Sequence, residues 1–178
     1  MYKFSAASEH ELIVFGSAKP GYSDQKVCAW IEFMKGQGVQ RVCCLLPTGQ
    51  LAPYSNLLET YRQEAFGNQH VCQSPIADFE LADLNTLTQR ILPFLSEANQ
   101  NHKKTVVHCG GGIGRTGHVL AAWLVQGRGF SNQAAIATVK KMGRNPHEAA
   151  ITAPFKGKRP FTVVKELETL LDQCRVAS

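Results

Sequence analysis

The sequence predicts an α/β fold, a central and mostly parallel sheet flanked by helices. Three observations carry this. Short apolar runs alternate with stretches of helical periodicity, and no repeat, low-complexity tract or linker divides them. A glycine-rich turn stands between a strand-like run and a helix, the place where parallel sheets hold their ligands. At 178 residues, the chain reads as one domain, residues 1–178, because one core supports roughly 100–200 residues.

Taken in order, Leu12 to Phe15 reads as a strand. Asp24 to Lys35 follows as a helix with Val27, Trp30, Ile31 and Met34 on one face. Arg41 to Leu46 has the apolar content of a buried strand. Asn56 to Ala65 is a helix and His70 to Gln73 a short strand, after which a loop runs through Pro75. Asp83 is placed to cap a long helix containing Leu84, Leu87, Ile91, Leu92 and Leu95. Pro93 lies inside that pattern, where it kinks or shortens the helix. Lys104 to His108 is the next strand, followed by the glycine-rich turn and a helix from Arg115 to Gly127. Ser131 caps a helix from Asn132 to Met142, and Phe161 to Cys174 forms the last.

Composition excludes several classes. The longest apolar run, Val119 to Val125, is far short of the ~20 residues of a membrane-spanning helix, so no membrane insertion is expected. The N-terminus lacks the pattern of a secretory signal, which points to a cytoplasmic protein. The six cysteines include no Cys-x-x-Cys pair, so neither a zinc site nor a disulfide framework is expected. Residues 1–102 carry 7 basic and 10 acidic side chains, and residues 103–178 carry 12 and 4. The positive half suits an anionic partner, or is simply a set of solvated helix faces.

The turn reads His108-Cys109-Gly110-Gly111-Gly112-Ile113-Gly114-Arg115-Thr116-Gly117. Gly112, Gly114 and Gly117 satisfy the dinucleotide pattern literally. That pattern also needs an acidic residue ~20 positions later, and no Asp or Glu occurs between Ala98 and His147. A Walker-type loop fails because His118 and Val119 stand where Lys and Ser or Thr are required. The arrangement Cys-(x)5-Arg-Thr gives every position a task. Cys109 ends a strand before a helix, where backbone N–H groups and the helix dipole favour a thiolate. The segment Gly110, Gly111, Gly112, Ile113 and Gly114 can turn successive N–H groups inward as an anion nest. Arg115 can grip two phosphate oxygens with its planar fork. Thr116 can donate to the sulfur as it leaves. His108 either fixes the cysteine backbone or is a satisfied strand histidine.

This segment resembles the active-site loop of the cysteine-dependent protein tyrosine and dual-specificity phosphatases, His-Cys-(x)5-Arg-Ser/Thr. Ser55 to Tyr61 and Ser74 to Phe79 look like segments of the small atypical dual-specificity enzymes, particularly the cyclin-dependent-kinase-associated phosphatase group. The likeness covers residues 10–150, and nothing is carried onto the tail from Ile151. It implies a mobile acid loop 31 positions before Cys109, where Asp78 lies beside Pro75 and Phe79. Asp83 is a rival better suited to capping, and Glu80 is the remaining candidate. The family's water-placing glutamine is not matched, leaving Asn145 and Glu148 as weak substitutes. His118 is expected to pack or cap.

The resemblance implies two-step hydrolysis of phosphate monoesters, with no metal or organic cofactor. Cys109 attacks phosphorus, Asp78 protonates the departing oxygen, and water then cleaves the cysteinyl-phosphate. The loop interior, Gly110 to Gly114, has no Lys or Arg, unlike the loops of phosphoinositide-specific relatives. A phosphorylated protein or peptide is therefore the expected partner, not nucleic acid, and the enzyme is expected to be monomeric. Lys103, Lys104, Lys140, Lys141 and Arg144 assist acidic substrates or are merely solvated. The competing readings are a phosphate-binding module without turnover and a phosphatase of a non-protein monoester.

Overall fold

A computed structural model describes residues 2–176. Ser5–Ala6 (β1) and Val14–Ala18 (β2) open the sheet, and Asp24–Gly36 (α1) leads to Arg41–Cys44 (β3). Thr48–Leu51 (α2) is a single turn, and Leu57–Glu59 (α3) runs into a wide π turn over Thr60–Ala65. Val71–Gln73 (β4) is followed by the long loop to Leu84–Thr86 (α4), a second π turn over Leu87–Ile91, and Leu92–Gln100 (α5). Thr105–Cys109 (β5), Gly114–Arg128 (α6), Asn132–Lys141 (α7), Glu148–Thr152 (α8) and Pro160–Val176 (α9) complete the chain, with a 3-10 turn over Ala153–Lys156.

The sheet has the order β1-β2-β5-β3-β4, parallel throughout except for β1, which runs antiparallel to β2. The expected mostly parallel α/β architecture is what forms. β5 lies at the centre with all five residues buried. Its registers, Ala18 opposite Cys109 and Cys44 opposite His108, bring the ends of three strands beneath the glycine-rich turn. Side chains alternate across the sheet. Val106 packs with Trp30, Met34, Leu57 and Tyr61 on one face, and Val107 with Leu92, Leu120, Trp123 and Leu171 on the other.

α6 is buried from Gly114 to Val125. A helix enclosed on all sides is the central post of its layer, which explains why it is apolar around most of its circumference. Ser23, Asp83 and Ser131 cap α1, α4 and α7, each accepting a backbone N–H three residues on.

The differences from expectation have local causes. The strand expected from Leu12 is β2 and begins at Val14, because the Glu11 carboxylate accepts the N–H groups of Ile13 and Val14 and holds that stretch in a turn. Leu12 is left 75% exposed. Pro93 does not break its helix, since the preceding π turn lets it fall in the first turn of α5. β1, α2 and α8 are too short to produce a period. No helix among the described residues is long and apolar enough to cross a membrane.

Candidate active site

Cys109 is the last residue of β5 and is 2% exposed. Its Sγ accepts the N–H of Gly112 at 3.3 Å. Gly112 makes this possible: its φ is +70°, and a Cβ there would stand 2.5 Å from the backbone of Ser17 and Ala18. No other residue type is accommodated without moving β2. The Lys19 N–H donates to the carbonyls of Cys109 and Gly110 at 3.0 and 3.2 Å, tying the start of the turn to the end of β2.

Arg115, in the first turn of α6, is only 4% exposed. Its Nη1 donates to Gln50 Oε1 (2.9 Å) and to the Ile76 carbonyl (3.1 Å). Its Nη2 forms an ion pair with Asp78 Oδ1 at 2.8 Å, and the second Asp78 oxygen accepts Gln50 Nε2 at 3.1 Å. A carboxylate therefore occupies part of the guanidinium fork, next to Cys109. Asp78 is 46% exposed, at the rim of a buried cation.

The rival carboxylates are engaged elsewhere. Asp83 accepts both the N–H and the hydroxyl of Thr86, and these bonds hold its carboxyl below the usual range. Glu80 pairs with Lys156 at 2.6 Å, which likewise lowers it. Of the three candidates only Asp78 is brought to Arg115.

Thr116 is buried, but its hydroxyl has no hydrogen-bond partner among the described residues. The expected bond to Cys109 is not formed in this conformation, in which the Thr116 methyl lies near Gly16. His108 is fully buried, with Trp30 and Tyr61 packed edge-on at 5.3 and 5.8 Å. Burial pushes its pKa down to about 3, so it is a neutral member of an aromatic cluster. His118 does cap: its Nε2 accepts the Ala82 N–H at 3.1 Å, pinning the far end of the acid loop to α6, and burial lowers its pKa to about 4.

Arg144 is neither solvated nor turned to a substrate. It is 3% exposed and donates to the Gly112 carbonyl, and to Lys3 O and Ser5 Oγ, both at 3.0 Å. It braces the turn from behind. Asn145 closes a local turn by accepting the His147 N–H. Glu148 packs so closely on Gly114 that any side chain at 114 would collide with it. Neither residue has a bond to Cys109 or Arg115 in the structure. Sequence alone did not mark Gln50 or Lys156 as parts of the site, and it offered Arg144 only as an aid to acidic substrates or a solvated charge. All three are brought to it by tertiary contacts, with no local pattern to mark them.

A buried cysteine ends a central parallel strand, an N–H points at its sulfur, and an arginine fork stands in the first turn of the following helix. A family model for "Dual specificity phosphatase, catalytic domain" matches residues 43–151, and the chain belongs to that family. It is similar to cyclin-dependent kinase inhibitor 3 of Rattus norvegicus, 33% identical over 96 residues, which are 53% of this chain and 43% of the relative. The Homo sapiens counterpart gives the same identity and coverage. The chain thus spans about half the length of the curated relatives it matches. Among solved structures it resembles Tk-PTP in its active form, with TM-score 0.65, 27% identity and coverage of 88% of this chain and 92% of the other. It also resembles kinase associated phosphatase with its catalytic-site cysteine replaced by serine, with TM-score 0.63, 25% identity and coverage of 81% and 85%.

Proposed function

We propose that the chain hydrolyses phosphate monoesters of proteins or peptides, phosphotyrosine first and phosphoserine or phosphothreonine second, through a cysteinyl-phosphate. The observation that carries this is the convergence of Cys109, the Gly112 N–H, Arg115 and Asp78. The substrate phosphate takes the place that the Asp78 carboxylate holds on Arg115. Nest amides of Gly110 to Gly114 and the Arg115 fork bind its three equatorial oxygens, where charge gathers as the bond to the leaving group breaks. The Cys109 thiolate attacks phosphorus opposite that group, and Asp78, released from Arg115 and protonated from solvent, donates that proton to the leaving oxygen. Asp78, now a carboxylate, accepts a proton from water as that water attacks phosphorus and frees the sulfur. The unpartnered Thr116 hydroxyl, in the first turn of α6, is available to donate to the departing thiolate.

Phosphoprotein as substrate is supported by the absence of Lys and Arg from the loop interior, where a polyanionic headgroup would need them, and by the kinase-associated relatives.

The test is turnover of an aryl phosphate by the purified chain. Cys109→Ser should abolish it, and persistent turnover overturns the scheme. Asp78→Ala should lower kcat by about 10²–10⁴ with little change in KM. A loss confined to KM would move the acid elsewhere.

A further inference from the structure

We infer that Lys156 is a positioning residue that holds the acid loop over Cys109 and Arg115, so that the tail beyond the matched family segment forms part of the active site. The inference rests on Asp78 being the acid of the proposed reaction. Lys156 Nζ donates to the Asp78 carbonyl at 3.1 Å, to the Phe79 carbonyl at 3.4 Å and to Glu80 Oε1 at 2.6 Å. An ammonium has three donors, and all three go to consecutive residues of one turn. That turn needs holding: Phe79 has φ +57°, a left-handed conformation that a bulky residue adopts only under constraint. The side chain of Phe79 is 40% exposed, so burial does not supply the constraint. Lys158 adds a second cation 3.7 Å from Glu80.

The clamp has a firm base. Lys156 ends the 3-10 turn Ala153–Lys156, whose first residue is 1% exposed and packs with Ala149, Ala150 and Val163 of α8 and α9. Both helices contact α6, and Glu148 of α8 lies against Gly114 at its start. The acid loop is therefore held at three points: Arg115 on Asp78, Lys156 on residues 78–80, and His118 on Ala82. Lys156 and Glu80 are each more than a third exposed, so their pairing contributes little to global stability. Its effect falls on where the Asp78 carboxyl stands relative to the leaving oxygen.

The experiment compares kcat/KM of the full chain for phenyl phosphate, a poor leaving group, and 2,4-dinitrophenyl phosphate, a good one. Protonation by the acid matters for the first and little for the second. Lys156→Met should lose about tenfold or more on phenyl phosphate and less than about threefold on the dinitrophenyl ester, with kcat falling and KM nearly constant. Lys156→Arg should restore most of the loss. Equal losses on both esters, or none, overturn the inference. Amide exchange of residues 77–81 in the Cys109→Ser background reads the clamp without turnover: Lys156→Met should speed it, and unchanged exchange overturns the inference. Asp78→Ala showing no greater loss on phenyl phosphate than on the dinitrophenyl ester would instead count against Asp78 as the acid, which keeps the two failures apart.

Discussion

At the scale of single residues, the site depends on groups whose protonation is fixed by burial. His118 accepts the Ala82 N–H only while Nε2 is unprotonated, and burial takes its pKa from 6.5 to about 4. The unfolded chain binds this proton at higher pH than the folded one, so the contribution is complete above pH ~6.5. It is lost progressively as pH falls toward ~4. Between pH 7 and 5 this amounts to about 2 kcal/mol, with His108 adding a loss of the same sign. Denaturant midpoints measured across that range should fall for the parent chain and fall less for His118→Gln. An identical slope in both would remove His118 from the account. Cys109 and Arg115 are readable from sequence because their geometry is local: six positions across a strand–turn–helix junction bring them together in any such fold. Arg144 is not. Its guanidinium reaches Gly112, Lys3 and Ser5 only because the chain after α7 returns beneath the sheet edge, and a run of Lys and Arg there looks like solvated charge.

At the scale of elements, the junction from β5 to α6 is set by one backbone conformation. Gly112 is left-handed and abuts the backbone of β2. Gly112→Ala adds a Cβ to a positive-φ residue and forces it against Ser17 and Ala18, so the Gly112 N–H swings away from Cys109. Phosphatase activity should drop by more than tenfold, with a stability loss of about 1–3 kcal/mol, measured by initial rates and by thermal denaturation. A fully active variant would show that the turn tolerates another conformation. The periodic elements were readable because their apolar faces are long enough to show a period. The boundaries that moved did so through single side chains: Glu11 delays β2, and the π turn before Pro93 absorbs a residue that reads as a helix breaker. The last helix was legible, but the tail's part in the site was not: it lies in Lys156, one exposed-type residue whose partners are two backbone carbonyls and a carboxylate 76–78 positions earlier.

At the scale of the molecule, α6 is secured at both ends. Its N-terminus carries the anion site, and at its C-terminus Glu11 collects donors from Trp123 Nε1 at 3.0 Å and from Arg128 Nε and Nη2 at 2.9 and 3.0 Å. Glu11 is 4% exposed. Burial alone would raise its carboxyl, but the Arg128 and Trp123 bonds outweigh that and hold it below 4.5. Its contribution is therefore present at neutral pH and lost as pH falls below ~4.5. Glu11→Gln should destabilise the chain by about 3 kcal/mol at pH 7, with kcat little changed in the fraction that remains folded. Urea titration and active-site titration of the same sample check both halves.

The same packing gives the protein two optical probes at opposite stations of its core. The sequence contains only two tryptophans. Trp30 lies against His108, the neighbour of Cys109, while Trp123 hydrogen-bonds Glu11 on the far side of the sheet. Intrinsic emission therefore divides into a signal from beneath the anion site and a signal from the distal anchor. Replacing either indole by phenylalanine would leave the other to report whether ligand entry disturbs only the near station or travels the length of α6.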